Sequence, residues 1–174
     1  VSPDEDIRER IMQYRKHYKF IRLHQDKGKG KSAAINEVFH EAEGKILIFT
    51  DGDVTLLPNA IAEILKPFKN PEVGCVSGRV IATNEKGTMM GYWSHLLADA
   101  GAHNARLQRA ANNQFLECTG YLFACRNIIT RIPTNVAEDT IIPYLFRQQG
   151  YTIAYAPDAK VAVKGPTTFS DWIR

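Results

Sequence analysis

The run Lys45-Ile46-Leu47-Ile48-Phe49-Thr50-Asp51-Gly52-Asp53 decides the fold class. Ile46 to Phe49 are apolar at every position, so both faces of a strand here would be buried. A central strand of a parallel sheet has that pattern. Upstream, Ser32 to Glu43 reads as a helix with Gly44 as its C-terminal stop. Downstream, Pro58 opens a helix running to about Lys69. Phe20 to Leu23 and Val73 to Ala82 read as further strands. At the start, Ser2 can cap a helix with Pro3 at its first position and Glu5 completing a capping box. Ile7, Ile11, Met12 and Tyr14 then give an apolar stripe at helical spacing. Helix and strand alternate, which predicts an α/β fold with a mostly parallel sheet sandwiched by helices.

The second half is less regular. Met90 to about Ala110 reads as one long helix, and Phe115 to Cys125 reads as containing a strand or two around Thr119-Gly120. Asp139 to Gln149 reads as a helix stopped by Gly150, with Pro143 tolerated near its first turn. Tyr151 to Tyr155 reads as a strand ended by Pro157. No repeat or low-complexity linker divides the chain. We expect one domain over residues 1–174, in two halves of about 1–82 and about 83–174.

Composition bounds the function classes. At 174 residues a chain buries about 70% of its unfolded surface and needs no staples. With 44% hydrophobic and 24% charged residues, disorder, collagen and coiled-coil rods are excluded. No apolar run approaches the ~20 residues of a membrane span. The net charge of +3 is too mild for a nucleic-acid partner. Basic residues from Arg8 to Lys31 read as a solvated face. Cys75, Cys118 and Cys125 match no zinc spacing and read as reduced, partly buried thiols. The start at Val1, without Met or an apolar segment, reads as a piece of a longer chain without a signal peptide.

Ligands of open α/β sheets sit beyond the carboxyl ends of the strands, where Asp51 and Asp53 stand. If extended geometry persists there, the two carboxylates point the same way. Joined by a hard divalent cation, Mg2+ or Mn2+, they would hold a diphosphate. A hairpin turn at Asp51-Gly52 is disfavoured by the helix at Pro58. Lys27-Gly28-Lys29-Gly30-Lys31-Ser32 approaches a P-loop, but Gln25 stands where its first glycine belongs. What survives is an anion-friendly loop at a helix start. Glu138-Asp139 also stands at a helix start, where the dipole alone favours acids. His17, His24, His40, His95 and His103 show no ligand spacing, and Tyr92-Trp93 reads as core.

Together these segments resemble the family 2 glycosyltransferases of GT-A fold. Gly30-Lys31-Ser32-Ala33-Ala34-Ile35-Asn36 looks like the family's GKxxALN segment, and Ile46 to Asp53 with Pro58 and Ala60 looks like its DxD segment. Thr119-Gly120 to Arg126 is similar to the strand before the acceptor site. Glu138-Asp139-Thr140, followed by Gly150-Tyr151 and Ala156-Pro157-Asp158-Ala159, looks like the ED motif and its downstream strand. Thr168 to Arg174 looks like the approach to the QxxRW motif of membrane-associated, processive synthases.

The resemblance implies an inverting transfer from a nucleotide-diphosphate sugar, with a UDP-sugar expected, to a glycan or lipid-linked acceptor. It implies Asp139 as general base, Asp53 with Asp51 as metal ligands, and Lys31, Asp51 and Asp53 as donor contacts. Gly120, Glu138 and Trp172 would line the acceptor side, while Asn36 would tie its helix to its neighbours. It also implies that a first strand, and a second ending in a base-holding Asp, precede Val1. Membrane segments would follow in the parent, placing it at the cytoplasmic face of a membrane. The rival readings are a nucleotidyltransferase, a P-loop nucleotidase and a non-catalytic nucleotide-sugar-binding module.

Overall fold

The computed structural model describes residues 5–24 and 28–173. The expected Ser2-Pro3 helix start, and Gln25 and Lys27 of the glycine loop, lie outside the described residues. Helix α1 spans Glu5–His17, and α2 spans Lys31–Phe39. Strand β1 is Ile46–Thr50, β2 is Thr55–Leu56, and α3 is Ala60–Leu65, continued by a tighter 3₁₀ turn over Lys66–Lys69. Then come β3 (Val73–Ala82), α4 (Met89–Leu96), α5 (Asn104–Ala111) and β4 (Leu122–Arg126). The chain ends with α6 (Glu138–Gln148), β5 (Thr152–Val163) and α7 (Phe169–Trp172).

The α/β class holds, and the strand pairing corrects the expected mostly parallel sheet. The five strands lie in the order β1-β4-β3-β5-β2. Only β3 and β5 pair parallel; β1 with β4, β3 with β4, and β2 with β5 are antiparallel. The cause is β4, which inserts between β1 and β3 and runs against both. It leaves β1 at the edge of the described sheet rather than at its centre. The apolar reading of β1 still holds, because both faces are covered. Leu47 and Phe49 pack into one cluster with Phe39, Phe123 and Phe146. Ile46 and Ile48 pack into the other, with Ile64, Val76 and Leu122. Along β4 the same period of two sends Phe123 and Cys125 to the first cluster and Leu122 and Ala124 to the second. Phe49 stacks on its cross-strand neighbour Phe123 with ring centroids 4.6 Å apart.

Other elements depart from expectation for local reasons. Phe20 to Leu23 forms no strand: no described strand pairs with it, and Phe20 is 82% exposed. The stripe on α1 buries no residue. Helix α2 stops at Phe39, five residues before Gly44. Strand β5 continues through Pro157 because the chain bulges there. Between the pairs Ser77–Tyr155 and Arg79–Lys160, β5 advances five residues while β3 advances two. A bulge removes the ladder hydrogen bond that a proline cannot donate. The long helix holds from Met89 to Ala111, with one wide π segment over Leu97–His103. Tyr92 and Trp93 are exposed rather than core. Their helix turns its Gly91 face inward, against the Glu85 carbonyl, so closely that a Cβ there would sit 1.8 Å from that oxygen. The three thiols are free, and all are buried. No helix among the described residues is long and apolar enough to cross a membrane.

Candidate active site

Three chain segments converge at the end of β1. Asp51 follows the last residue of β1. Lys31 is the first residue of α2, entered through Gly30 at φ +95°. Glu138 and Asp139 open α6. The helix starts are held together from behind. Ser32 Oγ donates to the Val136 carbonyl at 2.8 Å. Asn36 makes a reciprocal pair with the Ile132 backbone, 2.8 Å each way, as expected for a residue tying α2 to its neighbours. Segment 132–136 leads straight into α6, so these bonds set where Glu138 stands relative to Lys31.

Lys31 Nζ lies 2.6 Å from Asp51 Oδ1 and 2.5 Å from Glu138 Oε1. Burial alone would lower the Lys31 pKa, but the two carboxylates outweigh it and hold the ammonium charged above its usual value. Glu138 is 6% exposed, so an opposite charge at this distance is what makes its ionised burial tolerable. Asp139 is half-buried beside it. Burial pushes its carboxyl above the usual range, and the Glu138 charge adds to this. Lys31 and the Gly120 backbone N–H oppose that shift.

Gly120 stands against this group. A Cβ there would lie 3.2 Å from Asp139 Oδ2 and 3.7 Å from both Glu138 Oε1 and Lys31 Nζ. Its position depends on residues that sequence reasoning passed over. Thr119 N–H donates to Ser77 Oγ at 3.0 Å, and Cys118 N–H to the Asp139 carbonyl at 3.1 Å. Thr50 Oγ1 donates to the Tyr121 carbonyl at 3.0 Å, joining the end of β1 to the same loop. Single hydroxyls bonded across 40 residues or more carry no local sequence signal.

Asp51 and Asp53 separate in role. Extended geometry does not persist past Thr50; the chain turns at Gly52-Asp53. The turn is no hairpin, because β2 pairs with β5 and not with β1. Asp51 is engaged by Lys31, and Asp53 is exposed. Among the described residues no group of three or more His, Cys, Asp or Glu side chains could enclose a metal. Of the expected ligands, Asp51 and Asp53 could form only an open carboxylate pair. Such a pair fits Mg2+ or Mn2+, which keep water and phosphate oxygens among their ligands. Trp172 is not brought to this group. It lies on α7 and lines an apolar groove of about 410 Å³ with Met89, Met90, Trp93, Leu97 and Phe169.

Comparison with known proteins identifies the family and the fold. The model of glycosyl transferase family 2 matches residues 2–131, which includes the Lys31 and Asp51-Gly52-Asp53 segments and stops short of Glu138. An N-acetylglucosaminyltransferase of Rhizobium meliloti is 27% identical over 176 residues, covering 90% of this chain and 39% of that protein. The hyaluronan synthase of Streptococcus pyogenes is 25% identical over 129 residues, covering 74% of this chain and 28% of that protein. The chain thus spans less than half the length of these curated relatives. Among solved structures, a mannosyltransferase from Pyrobaculum calidifontis in complex with GDP-Man and Mn2+ superposes with a TM-score of 0.68. It is 19% identical, over 95% of this chain and 46% of that one. GalNAc-T7 with UDP, GalNAc and Mn2+ gives 0.63 at 18% identity, over 99% of this chain and 39% of that one. The shared architecture is the GT-A fold. On its sequence match and its fold, the chain belongs to glycosyl transferase family 2.

Proposed function

We propose that this chain is the catalytic core of an inverting glycosyltransferase that moves a sugar from a UDP-sugar to an acceptor hydroxyl. The observation that carries the reading is the meeting of Lys31, Asp51, Glu138 and Asp139 at one point beside Gly120. Residues 1–82 would form most of the donor side and residues 83–174 the acceptor side. Asp53 and Asp51 would hold Mg2+ or Mn2+, which when bound supplies positive charge against the leaving diphosphate. Lys31, already charged and placed on Asp51, adds a second cation on the donor side. Gly120 leaves open the space a side chain would fill against Asp139, and the acceptor hydroxyl takes that space. Asp139 accepts the hydroxyl proton while the acceptor oxygen bonds to the anomeric carbon. The bond from that carbon to the diphosphate oxygen breaks, and its electron pair leaves with the nucleotide. Glu138, held by Lys31, lines the acceptor side. One displacement inverts the anomeric centre.

Proton NMR of the product formed from an α-linked donor tests the reading. A β-linked product is expected, and an α-linked one would remove the single displacement. The pH profile tests the base. Asp139 must be ionised to accept a proton, so kcat should fall as pH falls. Because burial and Glu138 raise its pKa, that acidic limb should lie above the ordinary carboxylate range. A flat profile down to the ordinary range would remove Asp139 from the role.

The name of one relative, an N-acetylglucosaminyltransferase, supports an N-acetylglucosaminyl donor; the acceptor would be a glycan or a lipid-linked hydroxyl. The parent protein would then act at the cytoplasmic face of a membrane. Alkaline-carbonate fractionation of the full-length protein checks this, with retention in the pellet expected and release into the supernatant opposing it.

A further inference from the structure

A second polar cluster adjoins the segment that leads to Gly120. Arg79 on β3 stands directly beside Lys160 on β5 in the parallel register, so both side chains share one face of the sheet. The wide π segment covers this face. From it, Asp99 Oδ1 accepts from Arg79 Nη2 at 3.1 Å, and His103 Nδ1 meets the buried Tyr155 hydroxyl at 2.8 Å. Wide helical turns of this kind occur often at functional sites. Arg106, on α5, reaches the Glu117 carbonyl through Nε at 3.1 Å. Glu117 is followed by Cys118, whose N–H is bonded to Asp139, so the cluster and the Asp139 site share one wall.

The charges in this cluster do not balance. Three cations, Arg79, Arg106 and Lys160, are set against two carboxylates, Asp99 and Asp158, whose side chains are 54% and 72% exposed. Lys160 has Asp158 at 3.6 Å, beyond hydrogen-bond reach. Arg79 Nε is buried with no hydrogen-bond partner, the one such side-chain atom among the described residues. The Arg106 Nη groups carry no hydrogen bond among the described residues. Nearly every buried polar group in a native protein is satisfied, so an orphaned guanidinium N–H in a cationic cluster points to a missing acceptor. The titratable groups feel the same field. Burial lowers the His103 pKa, and Arg79 and Lys160 lower it further against Asp99. Burial raises the Tyr155 hydroxyl to about 12, with Arg79 and Arg106 opposing.

We infer that Arg79, Arg106 and Lys160 form a phosphate-binding subsite on the acceptor side. Arg79 and Lys160 share one face of the sheet, and Arg106 reaches the adjoining wall from α5; guanidinium forks and ammonium groups are the side chains that bind phosphoryl oxygens. A phosphate anion offsets the remaining positive charge and gives Arg79 Nε its acceptor. The subsite does not depend on the glycosyl-transfer reading. Naming the acceptor as the carrier of the phosphoryl group does rest on it. The subsite therefore takes an acceptor bearing a phosphate next to the part that receives the sugar.

Titration of the 15N-labelled chain with inorganic phosphate, without donor or metal, tests the site through the arginine Nε–H resonances. Potassium chloride at matched ionic strength is the reference. Saturable shifts of the Arg79 and Arg106 signals are expected, weakened several-fold in Lys160→Gln. Asp99→Asn, which removes the competing carboxylate, should tighten phosphate binding several-fold. Shifts no larger than those in chloride, or an Asp99→Asn variant that binds phosphate no better, would overturn the subsite. Acetate that saturates the same signals as tightly as phosphate would overturn the choice of a phosphoryl group. A second titration with UDP and Mn2+ separates the two sources of phosphate. If UDP shifts the Arg79 signal in the wild type but not in Asp53→Ala, the cluster serves the donor and the acceptor assignment fails. No response to UDP, with phosphate still binding, supports the acceptor assignment. Because every arm reads binding, loss of transfer activity alone leaves the subsite standing.

Discussion

Asp139→Asn is expected to lower transfer by about 10³-fold, within the usual range for removing a general base, while UDP binding in Mn2+ is unchanged. The substitution keeps the size of the side chain and removes its capacity to take a proton. The surroundings of Asp139 support a base rather than a donor contact. Its main-chain carbonyl is bonded to Cys118 N–H, so α6 stays docked whatever the side chain does. Lys31, which joins the Glu138 and Asp51 sides, has its bonds to those two carboxylates and not to Asp139. The contrast with Glu138→Gln is informative. That change removes the buried charge that holds Lys31, so it should disturb donor affinity as well as turnover. Single-turnover transfer measured beside calorimetric UDP affinity separates the two variants. An Asp139→Asn enzyme that transfers as fast as the wild type would remove Asp139 from the mechanism. Equal losses of donor binding in both variants would make Asp139 a structural acid at a helix start.

The second large effect concerns Asp53. UDP in the presence of Mn2+ should stabilise the chain, and Asp53→Ala should abolish the part of that stabilisation that requires the metal. At about one hundred times Kd, ligand binding adds about 2.7 kcal/mol to stability. For a domain of this size that raises Tm by about 5–10 °C. The exposed Asp53 side chain has no packing role, so the unliganded Tm should not move on substitution. Asp51→Asn should behave differently, because Asp51 is also the partner of Lys31. It should weaken binding with and without metal, whereas Asp53→Ala weakens only the metal-dependent part. Thermal melts with UDP, GDP, CDP and ATP, each with Mn2+ or with chelator, check both statements and name the base. A metal-dependent shift retained in Asp53→Ala would take the cation away from this carboxylate.

The sequence alone determined most of the elements and the identity of the charged residues at their ends. Val73–Ala82 was legible to the residue as a strand, because β-branched residues cluster between turn signals. The start of α6 was legible to within one residue, and Gly150, at φ +86°, ends it as expected. These are local matters of propensity, capping and apolar period. Family membership was legible for a related reason: it rests on short motifs in a fixed order, each contained in a local window of the sequence.

Only the tertiary structure decided which segments are neighbours. An apolar strand does not record whether its neighbour runs with it or against it. The insertion of β4 between β1 and β3, and with it the antiparallel pairing, was therefore not readable from Ile46 to Phe49. The same holds for the site. Lys31, Asp51 and Glu138 were each chosen for their own motif. Their single ion-paired group is made by Ser32, Asn36, Thr50 and Ser77, bonding across 42 to 104 residues of chain. The exposure of Tyr92 and Trp93 was hidden too, since helical period names a face but not what it meets. Arg79, unremarkable in sequence, became the centre of a second site because a bulge at Pro157 and a π turn at Leu97–His103 aim distant side chains at it. Burial, register and charge compensation are sums over the whole chain, and no local window contains them.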